Sequence, residues 1–122
     1  MWNVHHIEPE EIEYSLMRAT AQTYHLRPEI IESTYYHHHY SGAREYRQMG
    51  ETMFNDFMKY CRTDTGYAAL QNVITKEKHD EMESFLFAET FKYFYLLFAP
   101  AQSVDFDHIT FNTEAHPLRR TW

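Results

Sequence analysis

The apolar positions of this chain fall into helical stripes separated by short stretches of mixed pattern. After Pro28, the positions Ile30, Ile31, Thr34, Tyr35 and His38 recur at helical spacing and Gly42 stands where a helix commonly stops, which predicts a helix over residues 28–41. A second stripe of Tyr46, Met49, Met53, Phe57 and Tyr60, with Arg47, Glu51, Asn55 and Lys59 facing away, predicts a helix over residues 43–61. The short Gly-containing link predicts that these two helices form an antiparallel hairpin. A third helix is predicted over residues 80–99, ending before Pro100. It is apolar nearly all round, so it is expected to lie inside something larger than the first two helices can cover.

Elsewhere the pattern is weaker. "EPEEIEYSLMRA" predicts a short helix starting at Pro9, with "QTYHL" as an extended lead-in. "RTDTGY" breaks the helical pattern, "YAALQNVIT" is mildly β-like, and the charged "KEKHDE" suits an exposed loop. The alternation of "ITFNTEA" predicts a strand over residues 109–115, after which "HPLRRTW" is expected to leave the fold.

Composition fits a packed, mostly helical chain of one domain. The 122 residues are 43% hydrophobic and 17% aromatic, with only 3 Gly and 4 Pro. The net charge of -7 excludes the basic footprint that nucleic acid or anionic lipid requires, and favours neutral polar ligands or cations. The longest apolar run is shorter than the ~20 residues of a membrane span, so no membrane segment is expected. The N-terminal residues do not read as a targeting signal. The single Cys61 has no internal disulfide partner and reads as a small buried residue.

Candidate chemistry starts at "LRPEIIES". The residue before a proline is pushed into an extended conformation, so Arg27 projects sideways from the helix start, while Glu29 and Glu32 share one helical face. Two carboxylates and a guanidinium are thereby expected to converge, although carboxylates at a helix N-terminus also serve as simple capping charges. Glu89 lies among Phe85, Leu86, Phe87, Phe91 and Tyr93, where a buried carboxylate needs partners. A functional role and a structural pairing with Lys92 are both open. Phe85, one turn earlier, offers either a flat platform to a sugar or a core ring.

In "FNTEAHP", Thr113 can present its hydroxyl and carbonyl oxygens together to a hard cation, and Glu114 can hold that cation's waters. The run "YYHHHY" is not expected to bind metal, because consecutive helical residues point about 100° apart; His37, His38 and His39 read as helix-surface and interhelical residues.

Taken in order, "LRPEIIES", "MESFLFAETFKYFYLLF" and "FNTEAHPL" resemble the C-terminal part of glycoside hydrolase family 47, the class I α-1,2-mannosidases that trim high-mannose N-glycans. The resemblance runs over residues 24–119; "YCRTDTGYAAL" is also similar, and "IEPEE" echoes an upstream turn. It implies an all-α fold, a partial (α/α)7 barrel of helical hairpins with a short C-terminal β-hairpin, and residues 1–122 as the C-terminal portion of the catalytic domain. The rest of the barrel, with the family's general acid, is expected in earlier hairpins, since Glu10, Glu11 and Glu13 do not match the acid motif.

The implied reaction is Ca²⁺-dependent hydrolysis of terminal α-1,2-linked mannose with inversion, which needs an acid and a water-activating carboxylate ~6.5–9.5 Å apart. By resemblance, Glu29 is the general base and Arg27 and Phe85 contact the sugar. Glu32, Glu89 and Glu114 then surround the mannose and the cation's water shell, and Thr113 is the direct Ca²⁺ ligand. The implied partner is a high-mannose oligosaccharide or glycoprotein, met in the ER, in the Golgi or outside the cell. A catalytically silent mannose-binding relative of ER quality control is the alternative, and a helical scaffold without ligand is a third. The isolated chain is expected to be inactive alone and to associate through its apolar third helix.

Overall fold

A computed structural model of the protein describes residues 2–121, which divide into two compact units. The first takes the residues up to Arg27 together with Glu51–Glu83, and the second takes Pro28–Gly50 together with the residues from Ser84 onward.

The first unit opens with a short helix α1 (Trp2–His5), tied down by the Trp2 indole N–H donating to Asp56 Oδ2 at 2.9 Å. The helix expected from Pro9 is instead a β-hairpin, β1 (Glu11–Glu13) paired antiparallel with β2 (Arg18–Ala21). Glu13 decides this locally. Its carboxylate accepts from the backbone N–H groups of Ser15 at 3.1 Å and Leu16 at 3.0 Å and from the Ser15 hydroxyl, stabilising a turn where a helix would have to continue.

The "QTYHL" lead-in is extended as expected. Tyr24 exchanges two backbone hydrogen bonds of 2.9 Å with Leu70 of β3 (Ala69–Asn72). The charged stretch expected as a loop is exposed, but Glu77–His79 forms β4, paired with β3 around a turn in which Asn72 Oδ1 accepts from Ile74 and Thr75. Ile7, Leu26, Phe57, Cys61, Leu70 and Val73 make the core of this unit. Cys61 is fully buried as expected, and that burial pushes its thiol up to about 12, where it stays protonated and inert.

The second unit begins at α2 (Glu29–Ser41), which starts one residue after Pro28 and ends at Gly42, whose φ of 67° lets its N–H reach the His38 carbonyl. The first turns of helix α3 (Arg44–Tyr60), up to Gly50, belong to this unit and return along α2, whereas its residues from Glu51 onward belong to the first unit. His37 stacks on Tyr46 with ring centroids 5.1 Å apart, and a Cβ on Gly50 would lie 3.5 Å from Ile31, so contacts rise along one helix as they descend the other. His38 meets the Ala43 carbonyl at 3.0 Å and His39 packs edge-on to Phe106, so this histidine run does face the surface and the neighbouring segments.

The third helix begins later than its apolar pattern predicted. Residues up to Glu81 still belong to the sheet, because the Glu81 carbonyl accepts from Ala69 N–H at 2.9 Å. Helix then starts as a π-helical run, Leu86–Thr90, in which the Phe91 N–H bonds back to the Leu86 carbonyl, and continues as α4 (Phe91–Phe98). Leu86, Tyr93, Phe94, Leu96 and Leu97 are buried, whereas Phe87 and Tyr95 point outward at 60% and 67% exposure. A 3₁₀ turn (Ala101–Ser103) follows.

The expected strand is shorter than its alternation suggested. β5 (Ile109–Phe111) turns at Thr113 and Glu114 and returns as β6 (Pro117–Arg119). "HPLRR" therefore stays in the fold as the second arm of a hairpin, and Trp122 lies outside the described residues. The chain is thus helical with short hairpins, one of them C-terminal.

Candidate carbohydrate site

The second unit gathers the carboxylates that the sequence singled out. Glu29 occupies the first position of α2 and is exposed; Glu32 lies a turn later, half-buried. Pro28 offers no side-chain capping bond, so the acidic pair is placed by the helix start itself, where the macrodipole favours negative charge. Glu32 is held differently from a capping residue: the Tyr93 hydroxyl donates to its Oε1 at 3.0 Å.

Glu89 sits inside the π-helical run and is only 7% exposed. A π turn adds a residue per turn and re-aims the side chains within it. Burial raises the Glu89 carboxyl above the ordinary carboxylate range, and Glu114, Glu32 and Glu29 push it further the same way. Three carboxylates, from α2 and the β5–β6 turn, are thus within electrostatic reach of Glu89. Lys92 opposes them as a weaker influence, and its ammonium is anchored elsewhere, donating to the Ala115 carbonyl at 2.7 Å. The suggested structural pairing of Glu89 with Lys92 therefore gives way to a bond that pins the β5–β6 turn to α4.

That turn presents Thr113 and Glu114, both exposed, with Asn112 Oδ1 accepting from the backbone N–H groups of Glu114 at 3.1 Å and His116 at 2.8 Å. Ala115 closes it at φ 54°, a left-handed conformation that a non-glycine residue holds at a cost of roughly 1–3 kcal/mol. Phe85 stands half-buried just ahead of the π run, one turn before Glu89.

Arg27 ends the first unit. Its Nε donates to Glu10 Oε2 at 2.6 Å, and the other Glu10 oxygen accepts from His25 N–H at 3.0 Å. Leu26, fully buried, stands before it at φ 63°. Glu10 was not singled out as a partner of Arg27, and no local spacing announces it, since the β1–β2 hairpin brings together residues 17 positions apart.

Among the described residues, no group of three or more His, Cys, Asp or Glu side chains stands ready to bind a metal directly. The side chains of Glu29, Glu32, Glu89, Thr113 and Glu114 offer only oxygen donors, the kind a hard cation takes.

The sequence model of glycosyl hydrolase family 47 matches residues 2–120. A mannosyl-oligosaccharide 1,2-alpha-mannosidase of Arabidopsis thaliana is 45% identical over 94 residues, covering 77% of this chain and 17% of that protein. The human ER degradation-enhancing alpha-mannosidase-like protein 3 is 44% identical over 95 residues, covering 76% of this chain and 10% of its own length. Among solved structures, an alpha-1,2-mannosidase from Trichoderma reesei superposes with a TM-score of 0.76 at 35% identity, over 83% of this chain and 22% of that one. The chain therefore spans about a fifth or less of the relatives it matches, and carries the fold of that portion of an α/α-barrel mannosidase. On the extent of the match and the level of identity, the chain belongs to glycosyl hydrolase family 47.

Proposed function

We propose that this chain carries the general-base side of an inverting α-1,2-mannosidase site that acts, with Ca²⁺, on terminal mannose of high-mannose N-glycans in the secretory pathway or outside the cell. The observation that carries this reading is the buried Glu89 crowded by Glu29, Glu32 and Glu114. Like charges around a buried carboxylate are costly until a cation offsets them.

Thr113 would hold that cation through its hydroxyl and carbonyl oxygens, with Glu29, Glu32, Glu89 and Glu114 binding its waters. When bound, Ca²⁺ supplies a fixed charge and a template for sugar hydroxyls. Glu29, exposed at the helix start, takes the proton from the attacking water. Phe85 offers its ring to the apolar face of the sugar, and Arg27, steadied by Glu10, donates to a hydroxyl. Glu10 is already committed to His25 and Arg27 through both oxygens, so it is not the acid. The carboxylic acid that protonates the leaving oxygen has no assignment among these residues.

Similarity to the ER degradation-enhancing alpha-mannosidase-like protein favours a second reading, in which the site binds mannose on glycoproteins without turnover. One graft separates the two. Residues 24–119 replace the matching segment of the Trichoderma alpha-1,2-mannosidase, and mannose release from an α-1,2-linked mannobiose is measured with and without Ca²⁺. Release is expected, and Glu29→Gln is expected to slow it by about 100- to 10,000-fold. A folded graft that binds mannose with no release supports the second reading, and one that does neither overturns both.

A further inference from the structure

The Tyr93 hydroxyl stands directly behind Glu32, and we infer that Tyr93 is a positioning residue that fixes the Glu32 carboxylate and decides which of its oxygens faces a bound cation. The inference rests on the reading of Glu32 as a carboxylate of the cation's water shell.

Tyr93 is 1% exposed, on the first turn of α4, and its hydroxyl donates to Glu32 Oε1 at 3.0 Å. Tyr36 lies one turn beyond Glu32 on α2, with its ring centroid 6.1 Å from that of Tyr93. A phenol has one proton to give, and an ionised carboxylate can only accept. The proton of Tyr93 therefore goes to Glu32.

A phenol, with an ordinary pKa of about 10, keeps its proton at neutral pH. The Tyr93 ring is also clamped, with centroids 6.0 Å from Tyr35, 6.1 Å from Tyr36 and 6.2 Å from Phe111, the last at 87°. A donor that can neither ionise nor swing holds Oε1 in place and leaves Oε2 as the oxygen presented to a ligand. Partners of this kind, acting on a metal's outer shell, commonly change metal affinity by about 10- to 100-fold.

The test is a Ca²⁺ titration of the full chain by calorimetry, with near-ultraviolet circular dichroism as the check on folding. Tyr93→Phe keeps the ring and removes the donor, and is expected to weaken Ca²⁺ binding by about tenfold. In a Glu32→Gln background Tyr93→Phe should add no further loss, whereas in a Glu89→Gln background it should. A purely structural role would add its loss in either background.

Equal affinity of the unaltered chain and Tyr93→Phe, beside a clear loss in Glu32→Gln, overturns the inference and leaves the functional reading standing. A flat titration of the folded, unaltered chain overturns the functional reading and this inference with it. Should Tyr93→Phe fail to fold, replacing Tyr93 by 3-fluorotyrosine keeps the ring and hydroxyl and changes the donor strength: a changed Ca²⁺ affinity that vanishes in Glu32→Gln is expected, and an unchanged one overturns the inference.

Discussion

A carboxylate at position 89 has to ionise in order to serve a cation, yet it stands where ionisation is resisted. Its folded pKa lies above the ordinary value of 4.5, from burial first and from Glu114, Glu32 and Glu29 next. Without a cation, the stability that Glu89 contributes is full below that ordinary value and is lost as pH rises through the raised one. Urea unfolding between about pH 4 and about pH 8 should therefore show the unaltered chain losing stability relative to Glu89→Gln as pH rises, with Ca²⁺ reversing the order. Affinity for Ca²⁺ should fall as pH is lowered through the same window, since protons compete for the site. Glu89 was conspicuous in the sequence because a lone acid in an apolar run needs partners. Tyr93 was not, since a ring among rings reads as core, although its polar tip needs a partner when buried. Glu10 was hidden for another reason: its bond to Arg27 depends on a hairpin whose pattern resembled a helix.

At the level of elements, the α2–α3 hairpin was legible because a Gly at the left-handed cap and two clean stripes left few alternatives. The approach of Gly50 to α4 was not legible, because only packing reveals it. A Cβ there would stand 2.0 Å from Leu97 Cδ2, and Leu97 is 1% exposed, so the leucine has little room to yield. Gly50→Ala gains helix propensity of about 1 kcal/mol and meets an overpacking cost of about 1–3 kcal/mol. A net loss of about 1 kcal/mol is expected in chemical denaturation. The β1–β2 and β3–β4 hairpins were misread or half-read for a shared reason. Their strands are three or four residues long, too short for alternation to stand out, and side chains in the turns, Glu13 and Asn72, decide the local path.

Across the whole molecule, three separated motifs identified the family more surely than any stripe, because together they specify a shape of charge: a helix start, a mid-helix acid and a hairpin tip. Phe87 and Tyr95 of the third helix point outward. How those motifs are kept in register turns on the π-helical run at Leu86–Thr90. Such a run holds one residue more than the α-helix that would replace it, so it has the form of a single-codon insertion. Deleting Ala88 should let the segment close as ordinary helix, with Tyr93 and Lys92 still in phase with Glu32 and Ala115. Thermal melting is expected to hold or rise while Ca²⁺ binding by calorimetry falls at least about tenfold, because Glu89 loses its aim. Stability and the site would then have been separated by the loss of one alanine.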